Sequence, residues 1–204
     1  MIEFRSEQLA DYEKEYGASF LRKVEVAATN KTQQRARTFL SVAIRKVYNV
    51  KASAVAKRTT VQRATARDLR AMIRFRGPRV GLINFSARDK KVTLARKPRK
   101  GQAGLRWGRF RTGATVKVLK SGSRKLITSK PAFIATGANG NEHVFARKKN
   151  GKGRKDIYAL KTFSIPEMIA NSGSKGESDI NEFVGDTYAV EFDRAMKHFS
   201  SKQK

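Results

Sequence analysis

Residues 20–47 form one continuous amphipathic segment, FLRKVEVAATNKTQQRARTFLSVAIRKV, around which the rest of the chain can be interpreted. Apolar or small side chains recur along it every three or four residues, a spacing that places them on one face of an α-helix. That face comprises Phe20, Val24, Ala28, Thr32, Ala36, Phe39, Leu40, Ala43, Ile44 and Val47. The opposite face carries Lys31, Arg35, Arg37, Arg45 and Lys46. We therefore predict a long helix with one buried face and one basic face.

The helical pattern continues on both sides of this segment. It extends back to about residue 7, and Gly17 is the position expected to break it into two helices. A second long helix is predicted over about residues 178–199, with Ser178 as its N-cap. Its apolar stripe comprises Ile180, Phe183, Val184, Thr187, Tyr188, Phe192, Ala195, Met196 and Phe199.

Between the two helices the periodicity changes to two, which is typical of strands. In residues 69–76, for example, Ala71, Ile73 and Phe75 fall on one face and basic residues dominate the other. Turn signals, such as the glycine-rich residues 137–140, separate successive strands. The predicted strands are 59–64, 69–76, 105–111, 115–120, 124–128, 131–135, 142–147 and 156–163.

This order of elements predicts an α+β fold, in which the N-terminal and C-terminal helices pack on a mostly antiparallel sheet with extended basic loops. A single domain is predicted to cover residues 1–204. Two connections are strongly basic. Residues 86–105 are interpreted as a long basic arm, and residues 147–155 as the basic tip of a hairpin.

Charge is distributed unevenly along the 204 residues, whose formal net charge is +28. Residues 26–141 contain 29 Lys and Arg side chains but only two carboxylates, Asp68 and Asp89. Because concentrated like charge destabilises a compact chain, we expect an external polyanion to neutralise it. Nucleic acid and an acidic protein surface are the main candidates. An anionic membrane is the weakest candidate and is not expected as a partner, because no basic amphipathic helix has bulky aromatic side chains along one face, and no apolar run approaches the roughly 20 residues that span a bilayer.

Residues suited to catalysis or metal binding are few. The absence of cysteine excludes disulfides and Cys-based zinc sites. Glu142 and His143 are adjacent and form the one candidate acid–base pair, whereas His198 is far away in sequence. No GxxxxGK[ST] phosphate loop is present. We therefore expect no enzymatic activity, cofactor or metal, and an enzyme acting on nucleic acid through His143 is the catalytic alternative.

Basic clusters are the strongest candidate binding residues, because Lys and Arg contact phosphates without reading sequence. In residues 106–111 aromatic side chains interleave with arginines, and these aromatics could either stack on bases or pack in the core. An acidic partner protein would contact the same basic groups as DNA. The predicted contact residues are Arg96, Lys97, Arg99, Lys100, Arg106, Arg109, Arg111, Lys148, Lys149, Lys152, Arg154 and Lys155.

Four groups of segments occur in a characteristic order: the helix 27–37 continuing into 44–50, the basic strands 61–66 and 71–75, the pair 131–135 and 144–147, and residues 157–169 before the last helix. Together with the length and basic charge, this order resembles the bacteriophage minor tail protein Z family of lambda-like tail completion proteins. The similarity covers about residues 20–200.

The resemblance implies a structural virion protein in the neck, at the upper end of a siphophage-like tail, that helps to join the tail to a filled head and to position the DNA. It also implies a ring of copies, expected to be a hexamer, that is assembled in the host cytoplasm. The implied partners are the tail terminator, the tail tube, head–tail connector proteins and the viral DNA end. A sequence-independent nucleic-acid-binding protein, ribosomal or chromatin-like, is the alternative.

Overall fold

The computed structural model describes residues 12–93, 109–127, 132–148, 156–171 and 175–202. Within these residues lie eight strands, four α-helices with defined bounds, one 3-10 helix and the helical residues 12–16. The strand pairing is antiparallel, which confirms the α+β prediction. The elements are α1 (Ala18–Val47), α2 (Ala52–Ala56), β1 (Thr59–Gln62), β2 (Met72–Phe75), a 3-10 helix (Leu82–Asn84), β3 (Arg88–Thr93), β4 (Arg109–Val116), β5 (Lys125–Leu126), β6 (Ala132–Thr136), β7 (Glu142–Arg147), β8 (Ile157–Ala159), α3 (Ile165–Ala170) and α4 (Lys175–Ser200).

The chain divides into two compact units. The first comprises Met1–Ala43, Lys57–Arg76 and Ile169–Lys204, and the second comprises Ile44–Ala56 and Gly77–Met168. The two-stranded sheet β1-β2 belongs to the first unit, whereas the sheets β3-β4-β5 and β6-β7-β8 belong to the second. Each unit has its own hydrophobic cluster.

The core of the first unit is formed by the predicted apolar stripes of the two long helices. Phe20, Val24 and Ala28 of α1 are buried in one cluster with Phe192 and Met196 of α4. Further along α1, Ala36 and Leu40 of the same face are also buried. The periodicity of the sequence therefore identified the buried faces of both helices, except at Val47, which is exposed.

The predicted break at Gly17 is confirmed. Residues 12–16 are helical, and Gly17 adopts a φ of +81°, in the left-handed region that glycine enters at little cost. Its N–H donates to the carbonyl of Glu13 at 2.9 Å, as at a helix C-terminus. Tyr16 stacks on Phe20 at 5.0 Å between ring centroids. An aromatic contact thus ties the segment before the break to the start of α1.

The core of the second unit is built around Ala114 of β4, Ala132 of β6 and Val144 of β7. Gly113 lies beside it on β4, and a Cβ at this position would come within 3.1 Å of the Leu126 side chain. A side chain at this position would therefore need the Leu126 side chain to shift by a few tenths of an ångström, so the packing favours glycine. Gly113 also interrupts the alternating pattern of β4. For this reason the sequence predicts two strands, 105–111 and 115–120, where the structure has the single strand β4.

Two sequence predictions are wrong at their boundaries. Residues 86–105 were expected to be a loop, but residues 88–93 form β3, which pairs with β4. The alternation there was hidden because the half-buried position between exposed Arg88 and Lys90 is a carboxylate, Asp89, rather than an apolar residue. Ser178 is not the N-cap of the last helix, since α4 begins at Lys175. Acidic residues after that point favour a helix N-terminus there.

A groove of about 510 Å³ in the first unit lies among α1, β2 and α4. Its lining is mostly apolar, but it includes Thr32, which is only 5% exposed. The Thr32 hydroxyl has no hydrogen-bond partner in the part of the chain that the structure describes. A buried hydroxyl without a partner costs free energy because it loses its hydrogen bonds with water.

We expect Thr32→Val to raise the free energy of unfolding by about 1 kcal/mol, since valine has nearly the same shape and no hydroxyl to desolvate. Urea unfolding followed by circular dichroism measures the change. The matched control is Thr38→Val, because Thr38 is exposed and its hydroxyl donates to the Gln34 carbonyl. Equal effects of the two substitutions would show that burial of the Thr32 hydroxyl carries no cost.

Candidate polyanion-binding site

Most of the predicted contact residues lie outside the described residues: Arg96, Lys97, Arg99, Lys100, Arg106, Lys149, Lys152, Arg154 and Lys155. Arg109 and Arg111 lie on β4, at positions paired with Thr93 and Lys91 of β3. Lys148 is exposed directly after β7, and its N–H donates to the Asp156 carbonyl at 2.9 Å. This bond and the β7–β8 pairing confirm the hairpin whose tip was predicted. The contacts assigned to these residues stay a prediction.

A basic surface that sequence reasoning did not select lies on the first unit. Residues 57–76 contain seven Lys and Arg side chains and one carboxylate, Asp68. We call this segment the basic hairpin, since it consists of β1, β2 and their connection. Its exposed basic residues are Lys57, Arg63, Arg67, Arg70, Arg74 and Arg76.

The strand pattern of the basic hairpin determines which side chains reach solvent. β1 and β2 pair from Thr59↔Phe75 to Gln62↔Met72. On β2, Ile73 and Phe75 are half-buried, whereas Arg74 and the following Arg76 are exposed. Successive strand residues point to opposite faces, so the apolar face is held against the unit while the arginines face outward.

Two amide side chains of α1 hold the basic hairpin in place. Asn30 donates to the Ala64 carbonyl at 3.0 Å and accepts from the Ala64 N–H at 2.9 Å. Gln33, which is only 7% exposed, donates to the carbonyls of Met72, at 2.9 Å, and of Gln62. Asn30 and Gln33 therefore attach the basic hairpin to one face of α1. Gln33 and Ala64 are buried, so water has little access to compete for these hydrogen bonds. This attachment fixes the position of the arginines.

The single carboxylate of the basic hairpin is used within its own loop. Asp68 accepts from the Arg70 backbone N–H at 3.0 Å and from the Arg70 guanidinium at 3.1 Å. The Arg70 backbone hydrogen bond, together with the contact from its side chain, holds the pKa of Asp68 below its usual range. Asp68 therefore stays ionised near neutral pH, but its charge is directed to Arg70. The other exposed arginines have no carboxylate within the segment.

The first unit also shows how basic groups are neutralised internally. Glu191 of α4 is buried, and its carboxylate lies 2.7 Å from the Arg35 guanidinium and 2.8 Å from that of Arg194. Arg35 is on α1, so this ion pair joins the two long helices. Arg35 belongs to the basic face predicted from the sequence, but the fold supplies its countercharge.

We expect Glu191→Gln to lower the free energy of unfolding by about 1 to 2 kcal/mol at low salt, because both half-exposed arginines lose an ionic partner. Thermal unfolding at two salt concentrations measures this loss and its screening. Asp193→Asn is the matched control, since it removes the same charge from an exposed position of α4. A loss no greater than that of the control would contradict the assigned role of Glu191.

The side chains of the candidate acid–base pair, Glu142 and His143, do not point to a common site. Glu142 and His143 are adjacent on β7, so their side chains leave opposite faces of the strand. Glu142 is exposed, whereas His143 is half-buried with its ring edge against Phe145, at 5.6 Å between centroids. Among the described residues, no group of three or more His, Cys, Asp or Glu is placed to hold a metal ion.

A comparison with protein families identifies the relationship of this chain. The model of the family described as Prophage minor tail protein Z (GPZ) matches residues 8–199, which is nearly the whole chain. The chain belongs to this family, and the resemblance found in the sequence is confirmed. Membership supports a structural role in a phage tail and a location in the virion.

Other comparisons add no closer relationship. No curated protein and no solved structure matches the chain. In the ranges that the structure describes, no helix is long and apolar enough to cross a membrane.

Proposed function

We propose that this tail protein is a completion component of the neck, where copies of it form a ring that finishes the upper end of the tail. The ring would prepare the tail for joining to the head and hold the DNA that passes through it. Family membership supports the tail location. The observation that carries the DNA contact is the basic hairpin, in which Asp68 pairs with Arg70 and no other carboxylate of the segment is present for the remaining exposed arginines.

A ring explains why so much charge is left uncompensated. Six of the seven basic side chains of residues 57–76 are exposed, and Asp68 pairs with one of these, Arg70. Repetition of the other five around an axis would line a channel with positive charge. Lys and Arg bind phosphates of any sequence and release condensed counterions. A channel that must hold whichever DNA end arrives needs binding of this kind rather than base readout.

The proposed neighbours are the tail terminator, the tail tube and the head–tail connector, with the viral DNA end in the channel. A hexamer is the expected ring. Joining a tail to a head requires binding surfaces rather than bond-making, so we propose a structural, non-enzymatic role. This role is consistent with the divergent directions of Glu142 and His143.

Complementation of a phage that lacks this protein tests the proposal. The variant R63Q/R67Q/R74Q/R76Q removes four exposed charges from the basic hairpin but leaves the Asp68–Arg70 pair intact. We expect particles that incorporate the variant but fail to retain DNA or to join heads. The control K14Q/K23Q/K197Q/K202Q removes four exposed charges elsewhere and should support normal infection.

Normal DNA retention and infectivity with the hairpin variant, when it is present in particles, would contradict the DNA contact. A separate variant with serine at the predicted basic residues of segments 96–100 and 148–155 tests those residues in the same assay. Tight, salt-dependent DNA binding by the free chain with no defect in tail assembly would instead favour the independent nucleic-acid-binding alternative.

A further inference from the structure

A second, smaller groove lies between the basic hairpin and α1, within the first unit. Its volume is about 340 Å³. α1 supplies one wall through Ala27, Asn30, Lys31, Gln33, Gln34 and Arg37, and the hairpin supplies the other through Val61 and Arg63. We call it the helix–hairpin groove. Among the α1 residues, Ala27, Asn30, Gln34 and Arg37 lie three or four apart, so they form a continuous ridge along one face of the helix.

Three cations surround this groove: Lys31 and Arg63, which are exposed, and Arg37, which is half-buried. No carboxylate of the described ranges lies within ion-pairing distance of any of the three. The contrast with Arg35 is direct, because Arg35 is on the same helix and is paired with Glu191. The groove therefore concentrates charge that the fold neutralises elsewhere.

The walls of the groove are fixed by hydrogen bonds that do not involve the cations. Asn30 and Gln33 are committed to the backbone of the basic hairpin. Neither Lys31, Arg37 nor Arg63 takes part in those bonds, so their side-chain donors remain available. Gln34 lies beside them and adds an exposed amide. The groove is thus a preorganised cleft with cationic donors along its edges.

We propose that the helix–hairpin groove binds the phosphodiester backbone of DNA. Two guanidinium groups and one ammonium group can each contact phosphate oxygens, and guanidinium does so through paired donors. No aromatic side chain lines the groove, so it offers no aromatic platform for bases, and its two apolar members, Ala27 and Val61, are small anchors for a protein partner. The inference rests on the proposed function, because it assigns the DNA contact to particular residues.

Salt-dependent binding of the full chain to a 20-base-pair duplex, followed by fluorescence anisotropy, tests the groove. We expect K31Q/R37Q/R63Q to reduce the slope of log K against log salt by about 2 to 3, since each phosphate contact contributes about 0.9. At 0.1 M salt the affinity should fall on the order of a hundredfold. The control K14Q/K23Q/K46Q removes the same charge from exposed helical positions outside the groove and should weaken binding by about threefold or less.

Several outcomes separate the groove from its alternatives. Equal losses in both triple variants would overturn the inference, because total charge alone would then account for binding. Equal competition by poly-glutamate of matched charge would also overturn it, in favour of an acidic protein partner. If half-buried Arg37 cannot be replaced without unfolding, K31Q/R63Q is measured instead, and a slope change of about 2 supports the groove. If either groove variant binds DNA as tightly as the wild type, DNA binding by the groove is contradicted. The proposed function is tested separately, by complementation with the basic-hairpin variant.

Discussion

Asn30→Ala should lower the free energy of unfolding by about 2 to 4 kcal/mol, because it leaves both the N–H and the carbonyl of Ala64 without partners. Ala64 is only 4% exposed, so water cannot replace the lost bonds without opening the structure. The two hydrogen bonds of Asn30, at 3.0 and 2.9 Å, join residues 34 apart in sequence. Their loss should therefore loosen the attachment of the basic hairpin to α1.

Urea unfolding measures the stability, and amide hydrogen exchange at Ala64 measures the local opening. Gln34→Ala is the matched control, because Gln34 is an exposed amide on the same helix and should change stability by less than about 0.5 kcal/mol. If Asn30→Ala changes the free energy of unfolding no more than this control does, the attachment of the basic hairpin to α1 through Asn30 is contradicted. If the prediction holds, the variant should also bind DNA more weakly, since Arg63 would lose its fixed position.

Phe192→Ala should lower the free energy of unfolding by about 3 to 5 kcal/mol. Phe192 is 3% exposed and packs in the cluster that joins α4 to Phe20 and Val24 of α1. Truncation removes a ring from a closely packed site and leaves a cavity whose walls belong to two long helices. The loss should therefore uncouple α4 from α1.

The control for Phe192→Ala is Val190→Ala, since Val190 lies on the same helix but is 46% exposed. Its stability change should stay within about 0.5 kcal/mol. Chemical unfolding followed by far-ultraviolet circular dichroism compares the two variants. A Phe192→Ala loss below about 1 kcal/mol would show that this cluster does not hold the helices together.

The long helices were predictable because their burial is periodic over many turns. In α1 the positions of Phe20, Val24, Ala28, Ala36 and Leu40 follow helical spacing in the sequence and are all buried in the structure. The short strands were less predictable. β3 carries a carboxylate on its half-buried side, so its alternation has no hydrophobic signal, and β4 contains a glycine that interrupts its pattern.

The basic hairpin could be partly foreseen, whereas the helix–hairpin groove could not. Alternation in residues 69–76 predicted the outward arginines, and the exposure of Arg74 and Arg76 confirms it. By contrast, Lys31 and Arg63 are 32 positions apart in the sequence. They share a groove only because Asn30 and Gln33 bond to the hairpin backbone, and that pairing depends on tertiary structure.

Glu191 illustrates a signal that the sequence contained but that periodicity alone did not use. It lies four residues after Thr187 and one before Phe192, on the buried side of α4. A carboxylate at such a position needs a cation nearby, since an unpaired buried charge is costly. The partner, Arg35, could be identified only from the packing of α4 against α1.

A reconstruction of the assembled particle tests the central claim most directly, because it shows both where the chain lies and what the basic hairpin faces. The account predicts a ring of this chain at the upper end of the tail, with residues 57–76 of each copy directed at DNA density in the channel. A position elsewhere in the tail, or basic hairpins that face away from the channel, would contradict it.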